Sequence, residues 1–112
     1  MEEYLFVYGL FRDSANPLLG SREHIGKAYV EGTLYKVNEF YPGFTRRVGN
    51  NKVWGDVYTI DPSVFPQLDE YEGDEYIRTK IKVSSGQECW IYEYKEDIID
   101  KPEIKSGDWM LR

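Results

Sequence analysis

The stretch DPSVFPQLDEYEG, residues 61–73, is the segment that the sequence punctuates as a helix at both ends. Asp61 can cap an N-terminus, and Pro62 suits the first helical position, where no N–H is needed. Val64, Phe65, Leu68 and Tyr71 follow at spacings of one, three and three, an apolar stripe of helical period. Pro66 falls within the first turns, where its missing donor costs little. Gly73 suits the left-handed residue that ends a helix.

Around this helix the chain reads as strands and turns. Tyr4 to Tyr8 is a short apolar run of a buried strand. Residues 13–24 make a loop with one helical turn. Ile25 to Val37 is a long strand, bent or bulged at Gly26 and Gly32. Tyr41-Pro42-Gly43 reads as a turn. Phe44 to Val48 and Lys52 to Ile60 are expected to pair as a hairpin across Gly49-Asn50-Asn51. Tyr76 to Val83 and Gln87 to Tyr94 form another, turning at Ser84-Ser85-Gly86. The charged tail from Glu96 ends in SGDWMLR, where Trp109 can dock on the body. The expected class is α+β: a small, barrel-like, strongly curved mixed sheet with one main helix over about 62–72 and short helical turns. Residues 1–112 read as a single domain.

The 112 residues suffice to bury roughly two thirds of the unfolded surface without disulfides. Ten tyrosines and 16% aromatic residues favour a β-rich core or an aromatic-lined pocket. A formal charge of −6 lacks the cationic footprint of a nucleic-acid or anionic-membrane partner. The single cysteine, Cys89, cannot form an internal disulfide and fits a reducing compartment. MEEYLFVYG has neither a basic n-region nor a long apolar run, so a cytoplasmic protein is expected.

Five carboxylates crowd LDEYEGDE, and most are expected to face water. Glu72 differs. At ~100° per residue it lies about 40° from Leu68 and about 20° from Phe65, along the apolar stripe. A carboxylate there is either put to use or reaches water through a frayed last turn. Partial burial, neighbouring carboxylates and the helix C-terminus would all raise its pKa. A carboxyl so tuned suits general base and acid work near neutral pH. The lone His24 reads as a surface residue, Cys89 as packing, and Tyr29, Tyr35, Tyr58, Tyr92 and Tyr94 as strand packing. In FVYGLFRDSAN, residues 6–16, Gly9 permits close backbone approach after a strand, and successive N–H groups there can cradle an anion or a carbonyl oxygen.

The chain resembles the γ-glutamylcyclotransferase-like superfamily, with its AIG2-like and γ-glutamylamine cyclotransferase branches. Val7-Tyr8-Gly9-Leu10-Phe11-Arg12 is similar to the family's opening VYG(S/T)L(R/K), and Asn16 with Leu18-Leu19 to the residues that follow it. Gly26-Lys27-Ala28, Gly32-Thr33-Leu34-Tyr35, Tyr41-Pro42-Gly43 and Gly55-Asp56-Val57-Tyr58 match later motifs in order. Leu68-Asp69-Glu70-Tyr71-Glu72-Gly73 with Tyr76-Ile77-Arg78 resembles LDxYEG…YxR, and Ser106-Gly107-Asp108-Trp109 recurs in small members. At Leu10 the family prefers a small hydroxyl residue, and at Phe11 a leucine.

The resemblance implies a γ-glutamylcyclotransferase-like fold, with Glu72 as catalytic acid/base and Tyr8, Gly9, Leu10 and Phe11 holding a γ-glutamyl substrate. Arg12, Asn16, Tyr76 and Arg78 are secondary candidates. The implied reaction closes an L-γ-glutamyl amine or amino-acid derivative to 5-oxoproline and frees the amine, with no cofactor and no metal. The expected partner is the small substrate, the chain being a monomer or weak homodimer. The alternatives are a non-catalytic module that binds a small carboxylated metabolite, or an acidic protein-interaction domain using residues 69–75.

Overall fold

A computed structural model describes residues 3–9, 23–46 and 51–111. Strand β1 (Glu3–Val7) pairs antiparallel with β4 (Asn51–Ile60), and β4 in turn with β2 (His24–Lys36). On its other side β2 carries β3 (Pro42–Thr45). The hairpin β5 (Tyr76–Lys82) and β6 (Glu88–Tyr94) is antiparallel, and β6 closes the ring by parallel bridges to β1 at Leu5–Trp90 and to β3 at Phe44–Glu93. The result is a closed five-stranded mixed barrel with β5 outside it on β6.

Alternation along the strands sorts two apolar layers. Phe6 of β1, Tyr8 just after it, and Cys89 and Ile91 of β6 pack into the barrel with Val30, Leu34, Phe44 and Val53. Leu5, Val7 and Tyr92 point outward and meet Phe65 and Leu68 of helix α1 (Phe65–Glu72). Burying those two helix side chains contributes about 1.5–3 kcal/mol each. The tail crosses the barrel: Ile104 donates to the Leu34 carbonyl at 2.7 Å, Trp54 donates to the Gly107 carbonyl at 2.7 Å, and Trp109 is buried in the core.

Three expectations need correction. Among the described residues of the expected 44–48 and 52–60 hairpin, Phe44 and Thr45 pair with β2 and not with β4. Both β3 and β4 run antiparallel to β2, hence parallel to each other, and β2 changes partner from β4 at Gly32 to β3 at Thr33. Pro42-Gly43 is not a turn but the start of β3. The turn lies just before, where Asn38 Oδ1 accepts from the N–H groups of Phe40 and Tyr41 at 2.7 and 3.1 Å. Tyr71 does not complete the buried stripe; it is 53% exposed. The helix itself begins as a 3-10 turn, Pro62–Val64, capped by Asp61. Pro66 cannot donate to the Pro62 carbonyl, which accepts the Phe65 N–H instead. Gly73, at φ 80°, ends it. The bulge of β2 lies between His24 and Gly26, and the Ser84–Gly86 turn joins β5 to β6.

The seam between β3 and β6 has a single bridge, and a side chain completes it. Tyr8 Oη donates to the Tyr92 carbonyl at 2.5 Å and accepts from the Phe44 N–H at 3.1 Å, all of it buried. Tyr8→Phe keeps the ring but strands a buried donor and a buried acceptor. We expect it to lose about 2–4 kcal/mol in urea denaturation, with the slope unchanged.

Candidate active site

A cavity of about 290 Å3 opens where the ends of β1 and β3 face the end of α1. Phe6, Val7, Tyr8 and Gly9 form one wall and Tyr41 and Pro42 a second. Tyr71, Glu72 and Glu75 come from the helix end and the turn after it, and Tyr76 and Tyr92 from the outer hairpin. Such a volume sits near the lower limit, roughly 300 Å3, of small-molecule sites and suits a metabolite.

Three tyrosine hydroxyls around it are committed to the fold. Besides Tyr8, Tyr76 Oη donates to the Pro42 carbonyl at 2.7 Å, and Tyr92 Oη donates to Asp69 Oδ1 at 2.7 Å. Burial pushes the ionisation of all three phenols far above the ordinary range. These residues therefore offer ring surface and keep the wall rigid. Gly9 is needed for contact as well: the Pro42 ring lies 2.8 Å from where its Cβ would stand.

Glu72 is half-buried on the cavity wall, and its carboxylate makes no hydrogen bond to another described residue. Withdrawal from water, then the charge of Asp69 one turn earlier, pushes its carboxyl up to about 7. Asp69 titrates in the opposite sense. Arg78 holds it at 2.9 and 3.2 Å and keeps it below the usual carboxylate range. Two carboxylates on one helix thus take different protonation states near neutrality, the arrangement acid–base chemistry uses.

Of the residues proposed from sequence, the structure brings Tyr8, Gly9, Glu72 and Tyr76 together on the cavity. Arg78 is elsewhere: beyond its pair with Asp69, its guanidinium lies 4.0 Å from the Phe65 ring centroid and 4.6 Å from that of Trp90. Leu10, Phe11, Arg12 and Asn16 lie outside the described residues. Sequence reasoning missed Tyr41 and Pro42, assigned to a turn, Tyr92, assigned to packing, and Glu75, assigned to a solvated patch. Only the clustering of aromatics around the motif glutamate could have pointed to them. His24 is exposed and bonds Asp56 at 2.9 Å, while Cys89 is buried, its thiol pushed up to about 11 by burial. Among the described residues no cluster of His, Cys, Asp or Glu could hold a metal ion, and no helix is long and apolar enough to cross a membrane.

The site is thus a small closed barrel with a cavity at its rim and a protonatable glutamate on that cavity. The chain belongs to the gamma-glutamyl cyclotransferase, AIG2-like family, whose model matches residues 5–111. It is 32% identical over 113 residues to the gamma-glutamylcyclotransferase family protein YtfP of Escherichia coli strain K12, covering 96% of each chain. The solution structure of ytfP from Escherichia coli superposes with a TM-score of 0.74 at 31% identity, again covering 96% of both chains. An AIG2-like protein from Mus musculus, 20% identical, has the same fold at a TM-score of 0.70 over 93% of this chain and 86% of that one.

Two titrations probe the site. A pKa raised on folding adds stability that is complete below the unfolded value near 4.5 and lost as pH rises through about 7. Glu72→Gln, which mimics the protonated acid, should therefore melt higher than the wild type at pH 8, by roughly 5 °C. The gap should close as pH falls to 4.5; a gap independent of pH would contradict the shift. Asp69→Asn should lower the Glu72 midpoint, followed by carboxyl NMR, yet leave it above an ordinary glutamate, because burial is the larger cause.

Proposed function

We propose that this protein converts an L-γ-glutamyl amine or amino-acid derivative to 5-oxoproline and a free amine, with Glu72 acting first as base and then as acid. The observation that carries this reading is the Glu72 carboxyl on a metabolite-sized cavity, raised to about 7. Family membership supports the reaction class.

The reaction starts from ionised Glu72, which takes a proton from the substrate's α-ammonium. The freed amine attacks its own γ-carbonyl and closes a five-membered ring, leaving a tetrahedral oxyanion. Protonated Glu72 then donates to the departing nitrogen as the C–N bond breaks. Glu72 then takes the second proton from the ring nitrogen and passes it to the released amine, which leaves as an ammonium, so one carboxyl used twice completes the cycle. A pKa near 7 balances the two halves, because a stronger acid would be a weaker base. Backbone N–H groups following Tyr8 are assigned to the substrate carboxylate or the oxyanion, and the rigid tyrosine wall keeps the chain coiled for attack. The cytoplasm is the assigned location, and a monomer or weak homodimer the assigned state.

The test is detection of 5-oxoproline by mass spectrometry after incubation with a panel of γ-glutamyl amines and dipeptides. Product is expected from the wild type. Glu72→Gln should lose at least about 100-fold, in line with removal of a general acid–base group. The wild-type rate should fall tenfold per pH unit well below 7, as the base protonates. Ligand binding without product in either protein would favour the non-catalytic module.

A further inference from the structure

Helix α1 covers only part of the barrel's outer surface. It packs with Leu5, Val7, Tyr58 and Tyr92, whereas Tyr29 and Trp54 belong to neither apolar layer. These two are cross-strand partners in β2 and β4, half-buried, with ring centroids 5.1 Å apart. One step further along the same face in each direction, Lys27 stands opposite Asp56 and Glu31 opposite Lys52. Both strands are described end to end, so the pattern along them is complete. The lysines lie down on the rings. Lys27 Nζ is 5.4 Å from the Trp54 centroid, and Lys52 Nζ is 4.8 Å from that of Tyr29. Their charge therefore stays at the face, on aliphatic stems that extend its apolar area. Positive charge occupies one diagonal of the face and negative charge the other, and the two cancel. Such a face has no net field for a polyanion or a polycation, but it complements a copy of itself.

We propose that the outer face of β2 and β4 is the interface of a weak, two-fold homodimer. A two-fold axis in the plane of the face and parallel to the strands lays β2 of one copy over β4 of the other. Glu31 then meets Lys52, and Lys27 meets Asp56. An axis across the strands lays β2 over β2, so that Glu31 meets Lys27 and Lys52 meets Asp56. In both arrangements opposite charges face each other at every corner, and the aromatic pairs meet at the centre. His24 already bonds Asp56 at 2.9 Å, so Glu31 is the carboxylate on which the pairing depends. A face two strands wide falls short of the roughly 800 Å2 per partner of a standard interface, which keeps the dimer weak. None of these residues lines the cavity, and the dimer does not depend on the γ-glutamyl reading.

The experiment is sedimentation equilibrium of the full chain at low salt, from about 10 µM to about 1 mM. The wild type should dimerise with a dissociation constant on the order of 0.1 mM. Glu31→Lys sets like charges against each other in either arrangement and should weaken the dimer at least about tenfold. Lys27→Glu should do the same, and thermal melts check that both exposed-site variants are folded. Second charge reversals then distinguish the arrangements. Adding Lys52→Glu to Glu31→Lys should restore the dimer if the axis runs along the strands. Adding Lys27→Glu instead should restore it if the axis runs across them. The proposal is overturned if the wild type is monomeric at about 1 mM. It is equally overturned if either single variant dimerises as tightly as the wild type, or if neither double variant regains the dimer.

Discussion

One phenol carries the join at which this barrel closes. Tyr8, the residue after β1, donates to the carbonyl of Tyr92 in β6 and accepts from the N–H of Phe44 in β3. Those two strands share only the Phe44–Glu93 bridge, so the ladder alone would leave buried backbone groups without partners at the seam. The hydroxyl supplies both partners at once. Because the same ring lines the cavity, the bond that closes the barrel also fixes one wall of the site.

The rest of the site follows from how α1 is anchored. Phe65 and Leu68 press it onto β1, β4 and β6, and Asp69 ties it to Arg78 of β5 and Tyr92 of β6. These contacts leave Glu72 one turn further on, past the apolar layer but still short of open water. Its chemistry is a consequence of that address. Burial favours the neutral acid, and the charge of Asp69, whose carboxyl Arg78 keeps below the usual range, adds to the effect. The anchoring residue and the titrating residue are thus a pair whose environments separate their protonation.

The family motifs were readable in order along the chain, because each is a short local string. The helix, the outer hairpin, the bulge of β2 and the burial of Trp109 also followed from local period, turn chemistry and hydrophobicity. The pairing of β3 did not. Adjacent strands separated by Gly-Asn-Asn look like a hairpin, but β2 is long enough at 13 residues to hold both β3 and β4 on opposite flanks. Local signals cannot see that competition. Glu75 and Tyr71 were read as solvent and core residues; both are exposed, and both line the rim of a cavity.

By itself the sequence determined the class of fold, the family, the position of the helix and the identity of the glutamate on its apolar side, since all of these are written in residues a few places apart. Only the tertiary structure decided which partners complete the site. Tyr8, Pro42, Glu72, Tyr76 and Tyr92 meet because a closed ring of strands brings distant parts of the chain to one rim. The reach of a hydroxyl and the loss of water around a carboxyl depend on distances across that ring, which no spacing along the chain encodes.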